Sequence, residues 1–179
     1  LAVAAGNDTT RYSIAAALHA MTQQPELLGQ MQSGENKVWE TAPDEFIRWA
    51  SPATYFRRTA TRDAEIHGKA IREGDKVLLW FVSGNRDTEA FDEPFRVNIL
   101  RAPNRHLAFG QGGPHVCLGM WLARLEVRAL LQSFVKRVRR IGKSYAHPLV
   151  VLVAQANETS THHVRVGVAA GKTTGTAVH

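Results

Sequence analysis

The side chain best suited to chemistry in this sequence is the thiol of its single cysteine, Cys117. It ends a glycine-rich segment, residues 109–117 (FGQGGPHVC), and directly precedes the strongest helical pattern of the chain. The N-terminus of a helix presents free N–H groups and a partial positive charge, both of which stabilise a thiolate. Glycines let the backbone turn sharply and approach a ligand closely. The segment therefore predicts a thiolate held at a fixed point, with room beside it for a flat or bulky group.

Three other roles for Cys117 stay open on these residues alone. A lone cysteine is often a small buried hydrophobe. A zinc centre needs about four ligands, and His115, His162 and His163 are the candidates, although neighbouring histidines on a strand point to opposite faces. A nucleophilic Cys117 with His115 as its base would need a third, orienting group, which the sequence does not designate.

The elements that must position this segment follow from apolar periodicity and turn residues. Helices are predicted at residues 1–22, 25–33, 43–50 and 118–141. Strands are predicted at residues 55–61, 76–82 and 163–168, with a hairpin at 65–71 and an apolar run at 149–153. Residues 85–113 have no clear period and predict a long irregular segment of the kind that is usually functional. The expected fold class is mainly α with small β-sheets.

Composition excludes several classes of protein. The chain has 179 residues, of which 44% are hydrophobic and 21% charged, so it is neither a disordered tail nor a collagen-like fibre. One cysteine cannot form an internal disulfide, and a reducing compartment is the default. No apolar stretch approaches the ~18–20 residues of a membrane span. Because the chain begins with Leu1 inside an apparent element, we expect a piece of a longer protein.

The net charge of +6 is concentrated in one part of the chain. Residues 124–165 carry eight Lys or Arg and two Asp or Glu, mostly within residues 124–143. A nucleic acid, a membrane surface or an acidic protein could each bind such a patch. The patch has no aromatic residues interleaved for stacking on bases, which disfavours nucleic acid.

Residues 109–119 resemble the haem-binding loop of the cytochrome P450 family, whose cysteine is the axial ligand of the iron. The loop has one more residue between Phe109 and Cys117 than the commonest family pattern. A bacterial subset similar to steroid, branched-lipid and terpenoid hydroxylases shares this longer form. The resemblance implies haem b as the cofactor, Cys117 as the iron ligand, and Phe109, Gly110 and Gly113 as parts of the binding loop.

Two further segments resemble structural parts of the family. Glu45-Phe46-Ile47-Arg48 matches the Glu-x-x-Arg helix, in which positions i and i+3 share a face and can pair. In the family a second arginine from the later irregular segment joins this pair, and Arg101 is the matching residue. The resemblance implies a structural role for Glu45, Arg48 and Arg101.

Other matches imply roles at the haem itself. Arg58, His106 and His115 match family residues that contact the haem carboxylates, for which arginine and protonated histidine are suitable donors. Residues 5–10 (AGNDTT) are similar to the oxygen-activation segment of the family's long central helix. There a glycine and a local helix distortion make space above the iron, and the resemblance implies that Asp8 and Thr9 deliver protons.

The matches occur in the family's order and imply the C-terminal portion of a cytochrome P450, residues 1–168, followed by a disordered tail, 169–179. The implied reaction is insertion of one oxygen atom from O₂ into an apolar small molecule, with electrons from a ferredoxin or flavodoxin-type donor. The expected protein is cytoplasmic, binds neither nucleic acid nor membrane, and is inactive and haem-loose as this portion alone. A Cys117/His115 thiol enzyme and a basic binding module with a structural cysteine are the alternatives.

Overall fold

The computed structural model describes residues 2–144, 151–156 and 164–167. In this part the chain is mainly helical with small antiparallel sheets, and the predicted fold class is confirmed. The helices are α1 (Ala2–Gln23), α2 (Glu26–Gln32), α3 (Asn36–Ala50), α4 (Phe81–Gly84) and α5 (Met120–Arg137). The strands are β1 (Tyr55–Thr59), β2 (Ala64–Ile66), β3 (Lys69–Ile71), β4 (Lys76–Trp80), β5 (Val138–Ser144), β6 (Val151–Ala156) and β7 (Val164–Gly167). The pairings are β1 with β4, β2 with β3, and β5–β6–β7.

The core of the described residues lies where α1, α2, α3 and α5 meet. Met21, Leu27, Phe46 and Leu131, one from each helix, are almost completely buried in one cluster. Burial of such side chains contributes about 1.5–3 kcal/mol each. This cluster is what holds α3 and α5, the two helices that flank the cysteine segment, in a fixed relation.

Helix α3 begins earlier than its sequence signals predict. Pro43 and Asp44 were expected to start it, but the helix begins at Asn36 and Pro43 lies inside it. Proline has no N–H for the carbonyl one turn back and is poorly tolerated there. The helix continues because Val38 and Phe46, on either side of Pro43, are buried in the core. Its predicted end is confirmed: Ser51 adopts φ 44° and its N–H bonds to the Ile47 carbonyl at 2.9 Å.

Helix α5 ends earlier than its periodicity predicts. The apolar spacing continues to Ile141, but residues 138–144 form strand β5, so this part of the prediction is wrong. Val138 pairs with Ala156 and Ile141 with Ala154 of β6. Because Val and Ile suit a pleated surface, a strand partner supplied by the tertiary fold outweighs the helical pattern.

The remaining predicted elements are close to those observed. The hairpin is β2–β3, with His67 and Gly68 at φ 47° and 73° in its turn. Strands β1 and β4 each stop two residues early, and α4 follows β4. The structure has neither helix nor strand between α4 and α5. Residues 149–150, 163 and the tail 168–179 lie outside the described part, and among the described helices none is long and apolar enough to cross a membrane.

Candidate functional site

The cysteine segment is a closed loop. The backbone N–H of Cys117 donates to the carbonyl of Phe109 at 2.9 Å, which joins the two ends of residues 109–117. Gly110 and Gly113 have φ of 74° and 124°, values that side-chain-bearing residues rarely adopt. The glycines are thus required by the path of the backbone, and the loop leaves the Cys117 thiol exposed.

The thiol lies close to the start of α5. The N-cap residue Gly119 provides no side-chain cap, and the first turn of α5 contains no acidic residue. A Cβ placed on Gly119 would lie 3.9 Å from the sulfur of Cys117. The positive end of an 18-residue helix is therefore adjacent to the sulfur, which is the electrostatic setting that favours a thiolate.

The thiol is not committed to another side chain. In the described part of the chain the Cys117 thiol makes no hydrogen bond to His115, which is itself exposed. The described residues also contain no cluster of three or more His, Cys, Asp or Glu side chains able to hold a metal ion. His162 and His163, the other zinc candidates, lie outside the described residues. This geometry supports an external group on the sulfur more than a Cys–His pair.

Behind the loop, the carboxylate of Glu45 is the centre of a buried cluster. It accepts two hydrogen bonds from Arg48, at 2.8 and 2.9 Å, and one from Arg101 Nε at 3.1 Å. The Asn98 N–H at 2.8 Å and the Asn104 side-chain amide at 3.0 Å complete its partners. Such a charge is tolerated in the core only because it is paired and hydrogen-bonded. The structure thus brings Glu45, Arg48 and Arg101 together.

The two arginines of this cluster also fix the irregular segment between α4 and α5. Arg48 Nη1 donates to the carbonyls of Asn85 and Pro94 at 2.6 and 2.9 Å. Arg101 Nη1 donates to the Asp92 carbonyl at 2.7 Å. Backbone groups that have no helix or strand partner are satisfied here by charged side chains. The segment is therefore held in one shape without regular secondary structure.

Next to Glu45, Asp44 contacts both sides of the cysteine loop. Its Oδ1 accepts from His106 Nε2 at 2.9 Å and from Arg124 Nε at 2.8 Å. The Ala108 N–H donates to His106 Nδ1 at 3.2 Å, which assigns the ring proton to Nε2. Burial alone would raise the pKa of Asp44, but the hydrogen bonds from His106 and Arg124 outweigh it and lower that pKa. Asp44 is thus held as a carboxylate.

Arg124 also stacks between aromatic rings. Its guanidinium carbon lies 4.9 Å from the ring centroids of both Phe109 and Trp121. The Phe109 ring lies 5.5 Å from that of His106. Cation–π contacts of this kind add about 0.5–2 kcal/mol each. The stack connects the first residue of the loop to α5.

The structure places the three residues that resemble haem-carboxylate contacts in different settings. Arg58 is exposed on β1, with its guanidinium 5.8 Å from the Phe56 ring, and His115 is exposed in the loop. The His106 residue is only 6% exposed, and both ring nitrogens have protein partners. A contact between His106 and a haem carboxylate would require the ring to leave these partners.

Asp8 and Thr9 lie near the start of α1 and bond within it. Asp8 pairs with the exposed Arg11 at 2.9 Å, and Thr9 Oγ1 donates to the Ala5 carbonyl at 2.8 Å. Helix α1 runs through Gly6 without a break, so the helix distortion that the resemblance implies is not seen as an interruption. Within the described residues, neither side chain hydrogen-bonds to the cysteine loop.

Sequence reasoning missed Asp44, Arg124 and Asn85 as parts of the site. Asn85 is fully buried, and its Oδ1 accepts the Leu107 N–H at 2.6 Å, while its Nδ2 donates to Ser51 at 2.9 Å. Asp44 reads as a helix-start residue and Arg124 as one of many basic residues in the C-terminal patch. Their partners are distant in the chain, so no local spacing reveals them.

Two apolar surfaces of the described residues are exposed. On α5 and its N-terminal turn, one stripe continues from the residue after Cys117: Leu118 (98% exposed), Trp121 (70%), Leu122 and Leu125. The other surface is the β1–β4 ribbon, with Tyr55, Phe56, Leu78, Leu79 and Trp80. Exposed apolar patches of this kind are typical of ligand or protein contacts.

The fold and the site match known proteins. A sequence profile of the cytochrome P450 family matches residues 40–140. The chain is 46% identical over 138 residues to the methyl-branched lipid omega-hydroxylase of Mycobacterium tuberculosis, which covers 77% of this chain and 32% of that protein. It is 43% identical over 129 residues to the steroid C26-monooxygenase of the same species, covering 72% and 29%.

Solved structures agree with this assignment. The Mycobacterium marinum cytochrome P450 CYP268A2, solved with pseudoionone, aligns with a TM-score of 0.78 at 36% identity over 93% of this chain and 38% of that one. The fold is therefore a cytochrome P450 fold. The chain belongs to the cytochrome P450 family, and it spans about a third of the length of the curated relatives it matches.

Proposed function

We propose that this chain supplies the haem-binding part of a cytochrome P450 monooxygenase. The observation that carries the proposal is the exposed Cys117 thiol at the end of a closed loop and beside the uncapped start of α5. The residues present fit a haem. The thiol supplies one axial ligand, and the apolar stripe that begins at Leu118 suits an apolar macrocycle.

When bound, the haem supplies activation of O₂ and transfer of one oxygen atom to the substrate, favoured by electron density from a cysteine thiolate. The chain holds Cys117 for this purpose. The N-terminus of α5 stabilises the negative sulfur, and the N–H bond from Cys117 to Phe109 fixes the backbone beneath it.

Arg58 and His115 are the residues we propose for the two haem carboxylates. Both side chains are exposed and carry donors suited to a carboxylate. The Arg58 guanidinium has one hydrogen bond, to the Arg57 carbonyl at 3.1 Å, so its other N–H groups can bind further acceptors. His106 is a weaker candidate because its ring nitrogens are engaged.

Asp8 and Thr9 are proposed to hold and move protons. The Thr9 hydroxyl donates to the Ala5 carbonyl and keeps acceptor capacity on its oxygen. The Asp8 carboxylate faces solvent, from which it can take a proton, and its contact with Arg11 is an exposed ion pair that is worth little. A carboxylate and a hydroxyl one residue apart can act as a relay.

The partners proposed are an apolar small molecule and an acidic electron donor of the ferredoxin or flavodoxin type. The names of the two relatives, a branched-lipid hydroxylase and a steroid monooxygenase, favour a large apolar substrate. The exposed Arg137 and Arg140 belong to the basic patch of residues 124–143, which would attract an acidic donor. A cytoplasmic location suits an exposed single thiol, since that compartment is reducing.

The test is a haem titration followed by the reduced carbon-monoxide difference spectrum. We expect a red-shifted, thiolate-type Soret band that is lost in Cys117→Ser. The same pair of proteins should be measured with the chain joined to the remaining two thirds of a relative. A thiolate-type band that persists in Cys117→Ser, or that is missing from both wild-type proteins, would contradict the assignment.

A further inference from the structure

We propose that Asp44 is a positioning residue that ties both ends of the cysteine loop to α3. A single carboxylate oxygen, Oδ1, accepts from His106 on the N-terminal side of the loop and from Arg124 on the C-terminal side. Residues 107–123, which contain Cys117, lie between these two anchors. The inference rests on the proposed function only in the identity of the group that Cys117 would hold.

The N-terminal anchor fixes the start of the loop through His106. The His106 side chain is buried, and the Ala108 N–H on Nδ1 leaves Nε2 as the donor to Asp44. The ring stacks on Phe109, whose carbonyl accepts the N–H of Cys117. The position of Asp44 is thus passed to the cysteine backbone through two successive contacts.

The C-terminal anchor fixes the start of α5 through Arg124. Its Nε donates to Asp44 while its guanidinium lies between Phe109 and Trp121. Phe109 is therefore in contact with both anchors, His106 and Arg124. A planar guanidinium can make these contacts together, and a lysine cannot. Loss of the Asp44 charge would release both anchors at once.

Two consecutive carboxylates on α3 therefore have different tasks. Glu45 accepts from Asn98, Arg101 and Asn104 of the irregular segment. Asp44 accepts from the residues that flank the loop. Successive residues on a helix point about 100° apart, so one short stretch of α3 can hold two segments in register. This is how α3 would set the place of the sulfur relative to the core.

The primary test is amide hydrogen exchange on the chain without haem. In Asp44→Asn we expect exchange of the Gly110 and Cys117 amides to be about tenfold faster, with exchange in the α1–α3 core unchanged. Asp44→Glu, which keeps the charge, should restore most of the protection. Glu40→Gln, an exposed carboxylate of the same helix, is the matched control and should have no effect. Unchanged exchange in the loop, or equal acceleration throughout the chain, would overturn the inference.

A second variant keeps the test decisive if Asp44→Asn folds poorly. In Arg124→Gln the Asp44 carboxylate and the His106 anchor remain, and we expect faster exchange at Cys117 than at Gly110. In the double variant the effects at Cys117 should not add, since both act through one contact. Additive effects would show that Asp44 and Arg124 act separately, against the proposal.

A haem titration then separates this inference from the proposed function. If the wild-type chain binds haem, Asp44→Asn should lower the thiolate-type fraction of bound haem severalfold, and Asp44→Glu should recover it. Equal thiolate-type fractions in wild type and Asp44→Asn would count against the positioning role. If wild type gives no haem band, the proposed function fails, while the exchange result still decides whether Asp44 holds the loop.

Discussion

Glu45 and Arg101 lie 56 residues apart in the chain and form a buried ion pair, with 3.1 Å between Oε2 and Nε. Arg48, one helical turn after Glu45, donates two bonds to the same carboxylate. None of the three side chains is more than 8% exposed. The pair connects α3 to the irregular segment that leads into the cysteine loop, so its strength bears on both stability and loop position.

Removing one partner of this cluster should be costly. Arg101→Met leaves the Glu45 charge with fewer partners in the core, and we expect a loss of about 3–5 kcal/mol in the free energy of unfolding. Urea denaturation followed by circular dichroism measures it. The control is Arg11→Met, which removes an ion pair whose two side chains are 75% and 72% exposed and should cost at most about 0.5 kcal/mol. Similar losses in the two variants would contradict this account.

Substitution of a loop glycine should be strained. Gly113→Ala places a side chain at φ 124°, and we expect a cost of about 1–3 kcal/mol, although nothing lies within 4 Å of the new Cβ. Gly29→Ala, in the interior of α2 and also without near neighbours, should instead stabilise by about 0.5–1 kcal/mol. Thermal unfolding of the two variants gives the sign directly, and a stabilising Gly113→Ala would refute the strain argument.

The Asp44 carboxylate should make part of the stability depend on pH. Its folded-state pKa lies below the ordinary value of 3.8, so its contribution is fully present above that value. The contribution is lost as the pH falls through the lowered folded-state pKa. We therefore expect the difference in unfolding free energy between wild type and Asp44→Asn to be constant near neutral pH and to shrink below pH 3.8. Urea titrations over this range test it, and a difference that grows on acidification would be inconsistent with a lowered pKa.

The two apolar faces of α5 should respond differently to truncation. Leu131→Ala creates a cavity in the core and should cost about 2–5 kcal/mol. Leu122→Ala, on the exposed stripe, should change the stability of this chain by less than about 0.5 kcal/mol. Denaturant unfolding measures both values. Equal costs would mean that the exposed stripe of α5 is covered in solution.

Local sequence pattern was sufficient for much of the site. The glycines, the single cysteine and the helix that follows are contiguous, so the closed loop and its helix could be predicted from residues 109–137. The Glu45–Arg48 pair follows from a spacing of three on a helix, because one turn brings such residues together. The hairpin around His67 and Gly68 is likewise a local turn.

Only the tertiary structure decided which distant groups meet. Asp44 and Arg124 are 80 residues apart, and their contact exists because the core holds α3 against α5. The same long-range packing keeps Pro43 inside a helix and converts residues 138–141 from an apparent helix end into a strand paired with β6. It also turned His106 towards Asp44 rather than solvent. Short-range spacing encodes what one turn or one loop can satisfy, whereas buried charges take whichever partners the packed helices bring to them.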